Sequence, residues 1–534
     1  MINKAINTLV SAMVDSLKKF KQKLAYYFAI FAMVFGSTFG TFNAANAVDL
    51  TIVNSQTWNV DDDSLPLDDG VTGILVSPNI NNTTAAGTLL IDTTTSQITD
   101  DTAVAIGNLT DTGDGVMTLS IVKQASSDFN IVIGIASANL DGAVDIEVDD
   151  QGGASSATGT ITISGDSSAG TRFELDNNDT ADGTDLIVDM NGSLTVGAMS
   201  NGTDGGGQLL ITALGAAGSV VSSTTFKISG DLTAKGVVGA GVDGIVLDDI
   251  SGANGGIALL QFDGAAAQAV SGEIDGSGAK EGSIVVTGTG TSVTFADKIG
   301  DGAQVRSLQV AAAAEAIFSN TVDVTTLDID NDVTFSENGN VVGVGNAGLV
   351  NFAAASIITI DDTISAGEIV LDTTASLANS GGTVIATSLF VNMPSNFTTG
   401  TITLFDDNTA LVVTTDELAL ISVTDTALTD FTAAHADDNK DIAITAVAKT
   451  ETATATALGV TAEVSRSLKQ ANAAIKAGGN AAGVDAFTNA LNVVNGMTAA
   501  TDTDLALQVA PQTDTIGGSA VATRAMTGTV QGIV

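Results

Sequence analysis

Short runs of alternating apolar and polar residues recur along most of the chain, separated by Gly, Asp, Asn, Ser and Thr. The runs are rich in Val, Ile and Thr, which suit a pleated, half-buried surface. Gly-Asp, Asn-Gly and Asp-Gly pairs between them supply the residues that turns require. The pattern predicts short β-strands from about Val48 to Val413. The clearest runs are Gly159–Ser164, Asp185–Asp189, Ser193–Val196, Thr225–Ser229, Gly244–Asp248, Ser283–Thr287, Val293–Phe295, Val333–Phe335, Ile357–Ile360 and Glu368–Asp372.

Long stretches of helical periodicity are missing from this region, which disfavours βαβ folds. A β-sandwich needs only about 100 residues per unit, so tandem sandwiches are the alternative fold. A continuous series of short strands is more typical of stacked coils, each of which buries a narrow stripe of Val, Ile, Leu, Ala and Thr. The predicted fold class is all-β, an elongated right-handed parallel β-helix (solenoid) over residues 48–452, with about 20 residues per coil.

The pattern changes towards the C-terminus. Strands are predicted at Thr401–Asp406, Glu417–Ile421 and Asp441–Ala448, and the strand pattern stops at about Ala453. A helix is predicted over Thr461–Ala477, because its apolar residues share one face. Those residues are Val464, Leu468, Ala471 and Ile475. Further helices are predicted at Val484–Val494, Asp502–Val509 and Ser519–Ile533. Residues 453–534 are therefore expected to form a short α-helical region.

Residues 1–47 have the order of a secretory signal peptide. A Lys cluster (Lys18, Lys19, Lys21, Lys23) precedes an apolar run of about 17 residues, and small residues end the segment at Ala45-Asn46-Ala47. An uncleaved membrane anchor is the alternative, although a spanning helix needs about 20 apolar residues. We expect cleavage after Ala47, in the A-x-A motif that includes Ala45. The mature chain would then begin at Val48 and be secreted through the inner membrane.

Composition and charge exclude several classes of protein. The chain has 534 residues, with 18 Lys+Arg against 61 Asp+Glu, a net charge of −43, no Cys and one His. Disulfides, thiol chemistry and Cys-based or two-His metal sites are therefore impossible. A nucleic-acid partner is not expected, since phosphate binding needs Lys/Arg clusters. Aromatic residues make up 4% of the chain, so the interior is expected to contain Val, Ile, Leu and Ala rather than rings.

Most candidate enzyme motifs in the sequence lack the structural context that their chemistry requires. Gly239–Gly244 matches G-x-G-x-x-G, but strand-like residues follow it where a dinucleotide site needs a helix, which indicates a glycine-rich turn. His435 is expected in a polar loop before the last strand, as a surface histidine. The adjacent carboxylates Asp248 and Asp249 form no acid–base pair by themselves, because glycoside hydrolysis needs carboxylates that face each other across a sugar. We predict no catalytic residue and no cofactor-binding residue.

Clusters of Asp in predicted turns are candidates for calcium, which takes oxygen ligands. The candidate metal ligands are Asp61, Asp62, Asp63, Asp111 and Asp114, and the segment Asp176 to Asp185 is a further one. None of these segments matches the EF-hand pattern. Solvated turns are the alternative interpretation, so calcium is the one cofactor that the sequence leaves open.

Several segments resemble the β-helical passenger region of autotransporters, the type V secreted proteins of Gram-negative bacteria. Val293-Thr294-Phe295, Val305–Val310 and Ala316–Val322 follow a cycle of V-T-F, L-x-V and A-x-F-x-N-x-V that is similar to passenger repeats. Asp504–Pro511 and Arg524–Val530 are similar to the helical linker that joins a passenger to its outer-membrane barrel. The resemblance covers about residues 290 to 534, and it implies display at the cell surface.

The sequence departs from that family at its C-terminal end. No aromatic residue follows Phe487, whereas a translocator barrel has alternating strands with aromatic girdles. We therefore expect the barrel to be missing from these residues, with 453–534 a linker region truncated before it. The alternatives are that the barrel is a separate chain or that the protein is secreted by another route.

The expected function is that of an exported, non-enzymatic structural or adhesive protein at the cell surface, the outer membrane or outside the cell. Its expected partners are cell-surface or matrix components, with self-association as a further possibility. An S-layer or extracellular matrix protein with an acidic, calcium-bridged surface is the alternative. A polysaccharide-acting β-helix enzyme is a minor alternative.

Overall fold

The computed structural model describes residues between 50 and 491, all within the unit Leu50–Val534. The described residues are 50–52, 57–59, 74–82, 86–92, 103–111, 116–123, 130–140, 142–150, 158–177, 185–197, 207–213, 222–236, 244–249, 256–278, 280–336, 341–345, 349–352, 356–361, 366–373, 388–394, 397–407, 418–436, 441–478, 483, 486–488 and 490–491. The predicted signal peptide, including Ala45, Ala47 and Val48, lies outside them. Among the described residues, no helix is long and apolar enough to cross a membrane.

Short strands account for most of the described residues. The first group is β1 (Leu50–Ile52), β2 (Thr57–Asn59), β3 (Ile74–Asn82), β4 (Ala86–Asp92), β5 (Ala103–Asp111), β6 (Val116–Lys123), β7 (Asn130–Leu140), β8 (Ala143–Asp150), β9 (Thr158–Ile163), β10 (Ser167–Ala169), β11 (Arg172–Asn177) and β12 (Asp185–Met190). The second is β13 (Leu194–Val196), β14 (Gln208–Ala213), β15 (Ser223–Ile228), β16 (Leu232–Ala234), β17 (Ile245–Asp249), β18 (Ile257–Phe262), β19 (Ala267–Ser271), β20 (Ile274–Gly276), β21 (Glu281–Val286), β22 (Ser292–Phe295), β23 (Val305–Val310) and β24 (Glu315–Phe318). The third is β25 (Val322–Ile329), β26 (Asp332–Phe335), β27 (Val341–Gly345), β28 (Leu349–Phe352), β29 (Ile357–Ile360), β30 (Ile369–Thr373), β31 (Leu389–Asn392), β32 (Gly400–Asp407), β33 (Ile421–Val423), β34 (Thr429–Ala436) and β35 (Asp441–Ala448).

These strands join into three parallel ladders. The first ladder runs through β1, β3, β5, β7, β9, β12, β15, β18, β21, β23, β25 and β28. The second ladder starts at the end of β7 and continues through β10, β13, β16, β19, β22, β24, β26, β29, β31 and β33. The third ladder runs through β2, β4, β6, β8, β11, β14, β17 and β20, then by single bridges through Ile299 to the start of β25, and on to β27, β30 and β32.

The predicted all-β class with parallel pairing is confirmed. Each of the ten clearest predicted strands coincides with an observed strand to within two residues at either end. The alternative of tandem sandwiches does not fit these ladders, because sandwiches are built from antiparallel sheets. The predicted repeat of about 20 residues holds in part of the ladders only. Val305 pairs with Val324, but Asp185 pairs with Ser223, because loops of very different length separate strands that keep their register.

Alternation along the strands divides each ladder into a buried face and an outer face. In β9, β11 and β12 every second side chain is buried, as the period of two in a strand requires. In-register pairing then aligns the buried residues of successive strands into a continuous apolar column. In the first ladder this column contains Ile161, Val188, Phe226, Leu260, Ile284, Leu308, Leu327 and Val350, all fully buried.

The expectation of an interior without rings is wrong, and the second ladder shows this most clearly. Phe295, Phe318 and Phe335 occupy the same register position in β22, β24 and β26. Their ring centroids lie 5.3 and 5.6 Å apart, with interplanar angles of 12° and 23°. Phe262 packs edge-on against Phe295 at 5.5 Å. A small number of phenylalanines is enough to form such a stack, because parallel strands place residues of one register position at the strand spacing of about 4.8 Å.

Glycine permits close stacking of the turns between the first and second ladders. A Cβ atom on Gly192 would lie 2.5 Å from the backbone of Gly165, and one on Gly230 would lie 2.5 Å from the carbonyl carbon of Gly192. The next residues bond across these turns. The Ser193 N–H donates to Asp166 Oδ1 at 2.9 Å, and the Asp231 N–H donates to Ser193 Oγ at 3.1 Å. The turn residues therefore hold neighbouring repeats in register.

The parallel pattern ends with β32 and β33. Strand β35 pairs antiparallel with β32 on one side and with β34 on the other. Two helices follow, α1 (Glu451–Leu458) and α2 (Ala462–Ala477). Helix α2 confirms the helix predicted over Thr461–Ala477, and Thr461 is its N-cap.

Two expectations about this end need correction. Helix α1 was not predicted, because its alternating Thr and Ala lack an apolar stripe; Thr450 caps its first turn and Gly459, at φ 65°, ends it. The predicted strand Glu417–Ile421 is wrong in its N-terminal part, since Leu418 is helical and the strand begins at Ile421. The helix predicted at Val484–Val494 is helical at its described residues, and those predicted beyond residue 500 lie outside them.

The phenylalanine stack provides a test of the packing. Substitution Phe318→Ala should lower the free energy of unfolding by about 3–5 kcal/mol, because it leaves a cavity between two stacked rings. Phe390→Ala is the matched control, since Phe390 in the same ladder is 37% exposed and should cost less than about 1 kcal/mol. Urea unfolding followed by circular dichroism measures both. Equal losses in the two variants would contradict the stack.

Candidate functional site

The described residues include no group of three His, Asp or Glu side chains placed to hold a metal ion. Of the calcium candidates, Asp111 is the last residue of β5, where it pairs with Asn82 of β3. Asp61, Asp62, Asp63 and Asp114 lie outside the described residues. Calcium binding at these residues therefore stays a prediction. The other candidate surfaces are the outer faces of the ladders.

The most unusual outer surface is a quartet of carboxylates on β8 and β11. Val144 and Ile146 of β8, like Phe173 and Leu175 of β11, point inwards and are buried. Alternation therefore turns the residues between them outwards. The register places Glu174 beside Asp145 and Asp176 beside Glu147. We call Asp145, Glu147, Glu174 and Asp176 the carboxylate quartet; only Asp176 belongs to a segment that the sequence singled out.

The quartet is crowded and only partly neutralised. Arg172 Nη2 lies 2.6 Å from Glu174 Oε2, and this ion pair is partly exposed. Burial, followed by the negative charges of Glu174, Glu147 and Asp176, raises the pKa of Asp145 to about 7, although Arg172 lowers it. Burial also raises the pKa of Glu174, against the lowering effect of Arg172. The quartet can thus bind a proton near neutral pH.

The quartet does not have the geometry of a glycosidase. Its members lie side by side on one sheet face, on strands about 4.8 Å apart, rather than across a cleft. Asp248 and Asp249, the other carboxylates that the sequence singled out, lie on opposite faces of β17, since Leu247 and Asp249 are buried and Asp248 is partly exposed. The arrangement therefore supplies no acid–base pair at either place.

Asp249 is a buried structural carboxylate. Its Oδ2 atom accepts hydrogen bonds from the N–H groups of Ala258 (3.2 Å) and Gly282 (3.1 Å), and its Oδ1 atom accepts one from Arg306 Nη2. Burial raises the pKa of Asp249, while the Arg306 guanidinium lowers it. These hydrogen bonds link β17 to β18, β21 and β23, and the last of these strands is far from β17 in sequence. Sequence reasoning missed the pairing, because Asp249 and Arg306 are 57 residues apart.

Hydrogen-bonded polar rows also follow the outer face of the first ladder. Gln309, Asp328 and Asn351 share one register position in β23, β25 and β28. Gln309 Nε2 donates to Asp328 Oδ2 at 3.2 Å, and Asn351 Nδ2 donates to Asp328 Oδ1 at 2.7 Å. One row further, Ser307 Oγ donates to Ser283 Oγ at 2.9 Å. These rows present a repeating polar surface across successive strands.

Two other predicted features have clear outcomes. We expected His435 in a loop, but it lies in β34 opposite Ile442, where it is partly buried. Hairpin pairing places it there, because the alternation of Phe431, Ala433 and His435 directs these side chains to the packed face. Gly244 precedes strand β17, which confirms that no helix follows the G-x-G-x-x-G segment. A Cβ atom on Gly244 would lie 1.6 Å from the carbonyl oxygen of Ala234.

The carboxylate quartet makes stability depend on pH. The pKa of Asp145 is about 7 in the folded chain against 3.8 for the free group, so the folded state takes up a proton first. The free energy of unfolding should therefore rise as pH falls from about 8 to 4. Asp145→Asn should stabilise the chain at pH 8 by about 2 kcal/mol, with allowance for solvent screening, and have little effect at pH 4.

Urea unfolding at pH 4, 6 and 8 measures this effect. Glu463→Gln, which changes an exposed carboxylate on α2, is the control and should shift the midpoint equally little at each pH. A destabilising effect of Asp145→Asn at pH 8 would contradict the crowding.

The Asp249–Arg306 pair predicts a second effect on stability. Arg306→Gln removes the only positive charge paired with the buried Asp249 carboxylate among the described residues and should lower the free energy of unfolding by about 3 kcal/mol. Lys298→Gln is the control, because Lys298 and Asp301 form an exposed pair at 3.0 Å that should contribute less than about 1 kcal/mol. Chemical unfolding of both variants at neutral pH measures the difference. Similar losses of stability in Arg306→Gln and Lys298→Gln would contradict the role of Arg306 in compensating the charge of Asp249.

Comparisons with protein-family models, with curated proteins and with solved structures find no match to this chain. The candidate site therefore has to be interpreted from its own geometry.

Proposed function

We propose that the chain is an exported, non-enzymatic protein of the cell surface, built on a right-handed parallel β-helix of autotransporter-passenger type. The order of the strands supports the coil. Successive strands such as β12, β13 and β14 belong to the first, second and third ladders, and each pairs with the strand three positions later. Connections between parallel strands of one sheet are right-handed in about 98% of cases. The short helices α1 and α2 follow the solenoid.

The single observation that carries the functional proposal is the register of the outer faces. Each coil adds one residue to the same rows, as Gln309, Asp328 and Asn351 do. A surface of this kind repeats weak polar contacts at a fixed spacing, so a multivalent partner gains affinity from many contacts at once. This suits an adhesive or protective role towards cell-surface or matrix components, or towards further copies of the chain.

Export is proposed from the order of charged, apolar and small residues in 1–47. It would carry the mature chain through the inner membrane, and the resemblance to autotransporter passengers favours a final location at the cell surface, in the outer membrane or outside the cell. The chain's large negative charge, −43, suits a secreted surface because it keeps the protein soluble.

One observation favours an S-layer or matrix protein as a second candidate. The carboxylate quartet brings four acidic side chains to one outer face with one arginine beside them. Divalent cations such as calcium bind carboxylate oxygens and could bridge such faces between molecules. The two candidates differ in whether attachment depends on calcium.

The location of the protein on its source cells tests the proposal. Antibodies raised against the full chain should label intact cells as strongly as permeabilised ones, and the mature protein should begin at Val48 by intact-mass measurement. Labelling that requires permeabilisation would contradict surface display. Release of the labelled protein by a calcium chelator would favour the S-layer candidate, and retention would favour the adhesin.

A further inference from the structure

The junction between the sheets and the helices buries polar groups in an unusual way. Seven side chains of α1 and α2 are buried, and three of them are polar. These three are Thr454, Ser465 and Asn472, and in each a side-chain oxygen lacks a hydrogen-bond partner. Thr429 at the start of β34 and Thr488 beyond α2 are also fully buried with unpartnered hydroxyl groups. Such groups lose their bonds to water on burial and gain nothing in return.

The ladders treat buried polar side chains differently. Ser356 Oγ donates to the Ile329 carbonyl at 2.7 Å, and Thr224 Oγ1 donates to the Thr212 carbonyl at 2.6 Å. Gln268 makes three hydrogen bonds, one accepted from Gly264 N–H and two donated to the carbonyls of Ile228 and Gly230. Among the buried hydroxyl groups of the described ladder residues, Thr291 is an exception, and one carboxylate oxygen of Asp145 also lacks a partner. Unpartnered hydroxyls are thus concentrated where the helices meet the hairpin.

The helices also have an apolar core of their own. Leu458, Leu468 and Phe487 pack with Ala427 and Leu428, which precede β34, in a cluster separate from the large core of the ladders. Inside the helical pair, Arg466 donates two hydrogen bonds from Nε and one from Nη2 to the carboxylate of Glu451. This ion pair ties the two helices to each other. Their links to the rest of the described chain are the small shared core and two lysine hydrogen bonds, from Lys469 Nζ to the Lys449 carbonyl and from Lys476 Nζ to Thr398 Oγ1 at 3.3 Å.

We propose that α1 and α2 form a lid that opens as a unit from the folded chain while the parallel ladders stay intact. Opening returns Thr454, Ser465 and Asn472 to water, which removes the penalty for their missing hydrogen bonds. It also uncovers the apolar residues Ala427 and Leu428 at the start of the β34–β35 hairpin. The lid is thus a built-in means of exposing an apolar patch, and it is independent of the proposed surface role.

Hydrogen exchange measured by mass spectrometry on the full chain tests the lid. The amides of α1 and α2 should exchange together and at least about 100-fold faster than those of β21 and β23. Thr454→Val keeps the shape of the side chain and removes the unpartnered hydroxyl. It should slow exchange in both helices about tenfold and leave β21 and β23 unchanged. Ser465→Ala should act in the same direction.

Two further variants make the test decisive. Thr452→Val changes an exposed threonine of the same helix and should leave exchange unchanged within about twofold. Leu458→Ala removes part of the separate core and should speed exchange in the helices alone. Faster or unchanged helical exchange in Thr454→Val, or equal acceleration of β21 and β23 in Leu458→Ala, would overturn the proposal.

Discussion

In-register pairing of parallel strands is the constraint on which the rest of this structure depends. A parallel ladder places each residue directly over its counterpart in the next strand, about 4.8 Å away. Each side chain therefore stacks on the side chains at the same register position of the neighbouring strands. The fully buried column that contains Ile161, Val188 and Phe226 and the stack of Phe295, Phe318 and Phe335 are direct consequences.

The same register that benefits apolar residues penalises charges. On the outer face it brings Glu174 beside Asp145 and Asp332 beside Glu315. Burial and the neighbouring negative charge raise the pKa of Asp145 and of Asp332. Neutral partners avoid this penalty, as where Gln309 and Asn351 flank Asp328 and donate hydrogen bonds to it. The functional proposal rests on this register, since each strand adds one more outward side chain to the same row.

The C-terminal end follows different physics. Antiparallel pairing of β35 with β32 stops the parallel series, and the helices beyond it bury hydroxyl groups without partners. Lys449 lies at the junction, where its Nζ atom donates to the carbonyls of Thr426 and Thr429 and lies 3.1 Å from Asp430 Oδ1. A repetitive outer surface and a helical end with a small core of its own thus occur in one chain, because register fixes the first and the packing of a separate cluster fixes the second.

The sequence alone determined the positions of the clearest strands, because alternation and turn residues are local signals. It located Ile357–Ile360 and Asp441–Ala448 to the residue, and it placed helix α2 from its apolar stripe. It also indicated parallel stacking, from the uniformity of many short strands. Tertiary structure decided which strands are neighbours, and hence the carboxylate quartet and the Asp249–Arg306 pair. Loops of variable length separate strands that pair in register, so no fixed spacing in the sequence reveals those contacts. Long-range packing likewise placed His435 in a strand and formed α1 from a segment without an apolar stripe.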